Sequence, residues 1–186
     1  IPAQAMSNLL RIDSEVRRIQ LIARDLLGFA RDTKDAPQAV SLAEVAESTI
    51  SFAAAELMRR RVKVEREFTD APIVKADPDQ LRQVFLNLLL NAAQALEGQQ
   101  GGKIKVRIFG ENGHAIAELI DDGPGVPKNL RDKIFEPLFT TKGEKGTGLG
   151  LYVSAGIAEK HGGKLSLEPS AKGAVFRLAL PAKTGA

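Results

Sequence analysis

Lys145-Gly146-Thr147-Gly148-Leu149-Gly150-Leu151 is the stretch on which the fold turns. Three glycines at alternate positions run into the helical spacing Leu149, Val153, Ile157, which puts unhindered backbone N–H groups where a helix begins. Such a start suits phosphate oxygens. It is not a Walker loop, because no Gly-Lys-Ser/Thr follows, and not a dinucleotide fingerprint, because Leu151 stands where the last glycine would be. Taken alone, a glycine-rich helix start is more often a plain turn. Its meaning comes from upstream, from Asp121-Asp122-Gly123-Pro124-Gly125 and from Asn87 and Asn91, which together with it predict one dispersed nucleotide site.

Asn87 and Asn91 lie four apart where Leu81, Val84, Phe85, Leu88, Leu89 and Ala92 repeat at helical spacing, so both amides share one helix face. A single such asparagine is commonly satisfied by backbone groups; two in register point to a ligand. The side-chain carbonyl of Asn87 suits Mg²⁺, an oxygen-seeking ion held by few protein groups plus waters and phosphates. Asn91 suits a phosphate or a water of the same shell. Asp121 follows the apolar run Ala115 to Ile120. Alone it reads as a turn residue; in a pocket it would accept a hydrogen bond from an exocyclic amine such as that of adenine, with Gly125 letting the base approach the backbone. Ile134-Phe135-Glu136-Pro137-Leu138-Phe139 reads as an aromatic packing segment that Thr140-Thr141-Lys142 closes with hydroxyls and a cation. Lys142 and Lys145 are candidates for terminal phosphates, with plain solvation as the alternative.

Outward from these motifs the elements fall into place. Ser41 with Glu44 three residues on predicts a capping box opening a helix to about Arg60. Val62 to Phe68 and Ile73 to Ala76 read as strands, and the asparagine helix runs from Asp77 or Asp79 to near Glu97-Gly98. Ile104 to Phe109 and Ala115 to Ile120 are strands about a Glu111-Asn112-Gly113 turn. Lys164 to Glu168 and Ala174 to Leu180 make a last strand pair after the Gly162-Gly163 break. Near the start, Leu9, Ile12, Val16, Ile19, Ala23, Leu26 and Ala30 alternate in steps of three and four. That coiled-coil-like seam predicts pairing with another helix or another copy of the chain. Asp32 to Gln38, with Pro37, predicts a linker.

Composition bounds the rest. The 186 residues are 44% apolar with 17 Gly and 9 Pro, a folded chain of one ordinary domain plus an appendage. Net charge is +3 with basic and acidic residues interspersed, and Arg59-Arg60-Arg61 is the one tight basic run, read as a solvated helix end; nucleic acid is not expected as a partner. Cysteine is absent, which excludes disulfides and thiolate metal sites. No apolar run approaches the ~18 or more residues of a membrane span, and the first residues lack a signal peptide's pattern.

In chain order, Asn87-Leu-Leu-Leu-Asn91-Ala92, Asp121-Asp-Gly-Pro-Gly125, Phe135-Glu-Pro-Leu-Phe139 and Gly146-Thr-Gly-Leu-Gly-Leu151 resemble the four nucleotide-binding boxes of the sensor histidine kinases of two-component systems. The resemblance spans about Ser41 to Pro181. It implies a Bergerat-type α/β two-layer sandwich of the GHKL superfamily, with helices on one face of a mixed sheet and a long coiled-coil-like helix before it. It implies ATP and Mg²⁺ as cofactors, Asn87 on the metal, Asn91 on phosphate and Asp121 on the adenine amine, with Gly123 and Gly125 beside it. Gly146, Thr147, Gly148, Leu149 and Gly150 would form a lid over the triphosphate, with Thr141, Lys142 and Lys145 near its end. Residues 39–186 would be the catalytic domain. Residues 1–38 would be the second helix of the dimerisation and phosphotransfer hairpin plus a linker, since Arg24-Asp-Leu-Leu-Gly-Phe-Ala-Arg31 is typical of that helix's end. Self-association through 9–30, relay to a response regulator receiver domain, a cytoplasmic setting and no membrane contact by this segment are implied in the same way.

Two departures qualify the resemblance. No acceptor histidine is in place, since the only two are His114, in a strand pattern, and His161, at a helix end. Ile1-Pro2-Ala3-Gln4 suits the loop before the hairpin's second helix, so the expectation is a segment cut between the hairpin helices. The lid, Thr140 to Lys145, is also short. In hydrolysing relatives a glutamate four residues before the metal asparagine activates water; here Gln83 stands there, and an amide takes no proton at neutral pH. That favours phosphoryl transfer to a side chain over transfer to water and leaves no catalytic side chain assigned. The rivals are a GHKL-type ATPase or serine kinase, and a non-catalytic ATP-sensing or helix-pairing module.

Overall fold

The computed structural model describes residues 37–69, 72–99, 101–143 and 146–183, with Ala5, Met6, Asn8, Ile12 and Val16 near the start. The expected helix 9–30 lies outside the described residues except at Ile12 and Val16, both helical and exposed. Lys145 also lies outside them.

Side-chain caps start the first two long helices. Ser41 Oγ accepts the Glu44 N–H at 3.4 Å and opens α1 (Leu42–Arg59). Asp77 Oδ1 accepts from Asp79 N at 2.8 Å and Gln80 N at 3.3 Å, and Pro78 supplies the first helical residue of α2 (Pro78–Ala95). Before them stands a strand that the sequence does not announce. β1 (Gln38–Ser41) pairs antiparallel with β3 (Ile73–Ala76) as a separate two-stranded sheet, so Gln38 closes a backbone ladder instead of ending a linker.

The main sheet contains β2 (Lys63–Phe68), β4 (Lys103–Glu111), β5 (His114–Asp121), β6 (Lys164–Glu168) and β7 (Val175–Pro181), in the order β2-β4-β5-β7-β6. β2 and β4 are parallel, which demands the crossover through β3 and α2; the remaining neighbours are antiparallel. The β4–β5 hairpin turns on Asn112 and Gly113, both at positive φ, as the two-residue turn requires. Two 3₁₀ turns, Lys128–Leu130 and Lys133–Phe135, lead from β5 toward α3 (Gly150–Lys160).

One face of the sheet supplies the core. Ile104, Val106 and Ile108 of β4, Ala115, Ala117 and Leu119 of β5, and Phe176, Leu178 and Leu180 of β7 are buried with Leu81, Phe85, Leu88 and Leu89 of α2 and Val153 and Ile157 of α3. Each fully buried Leu or Ile contributes about 2–3 kcal/mol by removal from water. The opposite face carries a charged row. Glu67 on β2, Arg107 on β4, Glu118 on β5 and Arg177 on β7 stand in cross-strand register. Arg107 and Arg177 donate to the two oxygens of buried Glu118 at 2.8 and 2.9 Å, Arg107 also bonds Glu67, and Arg177 pairs with Glu111. This is the mixed-sheet α/β sandwich, helices on one face, that the sequence predicts.

Candidate nucleotide-binding site

Helix periodicity brings the first site residues together. Asn87, Asn91 and Gln94 follow one another along α2 at four and three residues, so they form a polar stripe facing a cleft of about 210 Å³. Across it lie Phe139, Thr140, Thr141 and Lys142, and then Gly146, Thr147, Gly148, Gly150 and Leu151. Thus Asn87, Asn91, Thr141, Lys142, Gly146, Thr147, Gly148 and Gly150 share one space although 63 positions separate the first from the last.

Asn87 ties the two helices of the site. Its Nδ2 donates to the Gly150 carbonyl and to Ser154 Oγ, both at 3.2 Å. A carbonyl only accepts, so the nitrogen is fixed on the α3 side, and Oδ1 carries no hydrogen bond among the described residues. Asn91 is turned the other way in its bonding. Its Oδ1 accepts from Lys142 Nζ at 2.9 Å, and Gln94 Oε1 accepts from the same ammonium at 2.5 Å. Lys142 lies at the exposed edge of the cleft, where partial desolvation by the surrounding chain, and then repulsion from the Arg60 guanidinium, lower its pKa from the ordinary lysine value.

The glycines serve packing as well as access. Gly148 has φ +68, and a Cβ there would stand 2.3 Å from the carbonyl carbon of Leu138. A Cβ on Gly146 would meet Thr140 Oγ1 at 2.2 Å. The loop is therefore pressed against the segment that precedes it, which only hydrogen side chains permit. Thr147 Oγ1 accepts the N–H of Leu149 at 3.3 Å, and the Leu149 side chain is buried in the core, so this residue of the lid motif anchors α3.

Asp121 ends β5 and is 4% exposed. Its Oδ1 accepts the N–H of Gly123 at 2.9 Å and that of Ala174 at 3.3 Å. Burial pushes its carboxyl above the ordinary value; the two N–H groups oppose that, and the neighbouring Asp122 charge adds to it. Asp121, Gly123 and Gly125 do not line the cleft with Asn87 and Asn91. They abut it, because the Cα of Gly123 faces Ala95 at the end of α2, one residue beyond Gln94. Gly125 lies against the Gly173 carbonyl, so its bare Cα is used by the protein's own backbone.

Two neighbouring residues escaped the sequence reading. Gln94 was legible as the next step of the Asn87, Asn91 stripe, and Ser154 as the residue one turn after Gly150. Ile134, Phe139, Thr140 and Leu151 enter the cleft through tertiary packing that no spacing announces. His161 is structural: Nδ1 donates to the Ile157 carbonyl at 2.8 Å, and Nε2 accepts the N–H of Asp77 at 3.0 Å, joining the end of α3 to the start of α2. His114 bonds the Asn112 carbonyl beside the hairpin turn.

Comparison with known proteins meets this geometry at several points. Residues 76–184 match the family described as histidine kinase-, DNA gyrase B-, and HSP90-like ATPase. Sporulation kinase C of Bacillus subtilis is 33% identical over 181 residues, 93% of this chain, and the chain spans 40% of that protein's length. The solved catalytic domain of histidine kinase ThkA is 31% identical with a TM-score of 0.70, covering 78% of this chain and 97% of that domain. A structure of histidine kinase ThkA in complex with response regulator protein TrrA aligns with 98% of this chain and 53% of its counterpart, at 25% identity and a TM-score of 0.78. By family match, sequence identity and shared fold, the chain belongs to the histidine kinase-, DNA gyrase B- and HSP90-like ATPases, as an ATP-binding domain of the histidine kinase type.

Proposed function

We propose that this chain binds Mg·ATP in the α2–α3 cleft and, as part of a sensor histidine kinase, presents the γ-phosphoryl group to a histidine outside these 186 residues. The observation that carries the reading is the split bonding of Asn87. Its nitrogen is consumed by Gly150 and Ser154, while Oδ1 is left as a neutral oxygen one turn from Asn91. A hard cation takes such an oxygen, with waters and phosphates completing its shell. Mg²⁺ would neutralise charge on the terminal phosphates.

The remaining roles belong to the chain's own groups. Asn91 Nδ2 is left to donate to a phosphate oxygen, since only its Oδ1 is engaged. Asp121 Oδ2 accepts from the adenine amine while Oδ1 holds the loop. Gln83 offers no base, so water bound near the last phosphate stays unactivated and the phosphoryl group is kept for a side-chain acceptor. Residues 1–38 belong, in this reading, to the dimerisation and phosphotransfer element, with self-pairing through 9–30. A receiver domain takes the phosphoryl group next, by analogy with the response regulator bound to ThkA. No helix among the described residues is long and apolar enough to cross a membrane, and a cytoplasmic setting is part of the proposal.

Titration calorimetry with a non-hydrolysable ATP analogue tests the reading. The chain is expected to bind one equivalent in a magnesium-dependent manner, and Asn87→Ala to lose that dependence. Absence of binding, or identical affinity with and without Mg²⁺, refutes it.

A further inference from the structure

Lys142 comes from the far side of the cleft, 48 residues beyond Gln94, and its ammonium is shared by two side-chain amides on α2. Their chemistry matters. Asn91 and Gln94 hold the cation by hydrogen bonds yet leave its charge intact, whereas a carboxylate in either place would hold it and cancel it. The lysine stands at the exposed margin of the cleft, and the two amide oxygens fix where its ammonium points. A cation held in place, with no carboxylate paired to it among the described residues, is a partner that an added phosphate gains from meeting.

Resting on the ATP-site reading above, we propose that Gln94 is a positioning residue for recognition of the terminal phosphate. With Asn91 it holds the Lys142 ammonium against α2 as a cation for the last phosphate of a nucleoside triphosphate. A lysine free in solvent must be ordered when the ligand arrives, and one held beforehand is spared that entropy. Gln94 therefore acts on affinity for triphosphate over diphosphate, through Lys142.

The test is calorimetric titration of the whole chain with Mg²⁺ and either β,γ-imido-ATP or ADP. Wild type is compared with Gln94→Met, Lys142→Met and the double variant. Gln94 is half-buried, and methionine keeps its length. Each single variant is expected to bind the triphosphate analogue roughly fivefold more weakly, the double variant no more weakly than either, and ADP to change by less than about twofold throughout. Equal losses for both nucleotides, or single losses that multiply in the double variant, overturn the proposal, because a merely structural Gln94 would behave that way. Gln94→Glu gives a second reading, since a glutamate would neutralise the ammonium; weaker analogue binding than in Gln94→Met supports the proposal, and unchanged binding overturns it. If the wild type binds neither nucleotide, the ATP site itself falls, whereas wild-type binding with unselective variants sinks the Gln94 role alone.

Discussion

Replacing Asp121 with asparagine alters one atom of the site and separates binding from folding. Oδ1, which accepts from Gly123 N and Ala174 N, is retained as an amide oxygen, so the loop keeps both bonds. Oδ2 has no hydrogen bond among the described residues, and it is the atom that becomes an NH₂. Facing an adenine amine, the variant sets donor against donor. The loss is expected to be about 1–3 kcal/mol, or roughly 5- to 150-fold in affinity. Stability moves the other way. Burial raises the folded-state pKa of Asp121 above its ordinary 3.8. A raised carboxyl stabilises the fold fully below the unfolded value and loses that contribution as pH rises through the folded value, so at neutral pH the ionised side chain is a net cost. Asp121→Asn is therefore expected to melt no lower than the parent near pH 7, and to lose part of the fall in stability that begins above pH 3.8. Calorimetric titration and thermal melts across that range read both effects. An affinity within about twofold of the parent removes Asp121 from the site, and a melting temperature several degrees lower at neutral pH refutes the electrostatic reasoning.

Gly148→Ala places a methyl 2.3 Å from the Leu138 carbonyl carbon at φ +68, so the loop must move; a stability loss of about 1–3 kcal/mol with weaker nucleotide binding is expected, read by melts and titration. Glu118→Gln leaves Arg107 and Arg177 facing a neutral amide on the far side of the sheet. Because both guanidiniums stay partly exposed, about 1–2 kcal/mol of stability is expected to be lost in chemical denaturation, with nucleotide affinity unchanged.

The parts of the fold that the sequence foretold are those written in local chemistry. Asn112-Gly113 dictates its own hairpin, Asp77-Pro78 its own helix start, and the Leu, Val and Phe spacing of α2 the face on which Asn87 and Asn91 stand. β1 escaped because its residues stand between a Pro37-marked linker and the Ser41 cap of the next helix, and because its partner β3 lies over 30 residues away. The cleft divides along the same line. The asparagine pair was legible from spacing alone, and the glycine-rich loop from its composition. What the glycines touch was not: the contacts of Gly146 with Thr140 and of Gly148 with Leu138 exist only once the loop is folded back. The bridge from Lys142 to Gln94 was hidden for the same reason, since charge and amide come from segments that only the assembled sheet and helices bring together.

The charged row on the sheet's outer face guards against an error that the core cannot detect. If β7 slid by two residues along β5, every inward side chain would remain inward, and the apolar layer would register little change. Arg177, however, would then lie opposite Ile116 or Ile120 instead of Glu118, stranding a guanidinium over aliphatic carbon and leaving a buried carboxylate with one fewer cation. The strand pairing is thus proofread from the solvent side. β7 also carries forward Ala174, whose N–H holds Asp121, so a strand in the wrong frame would undo the Asp121 loop that abuts the cleft while leaving the interior packed.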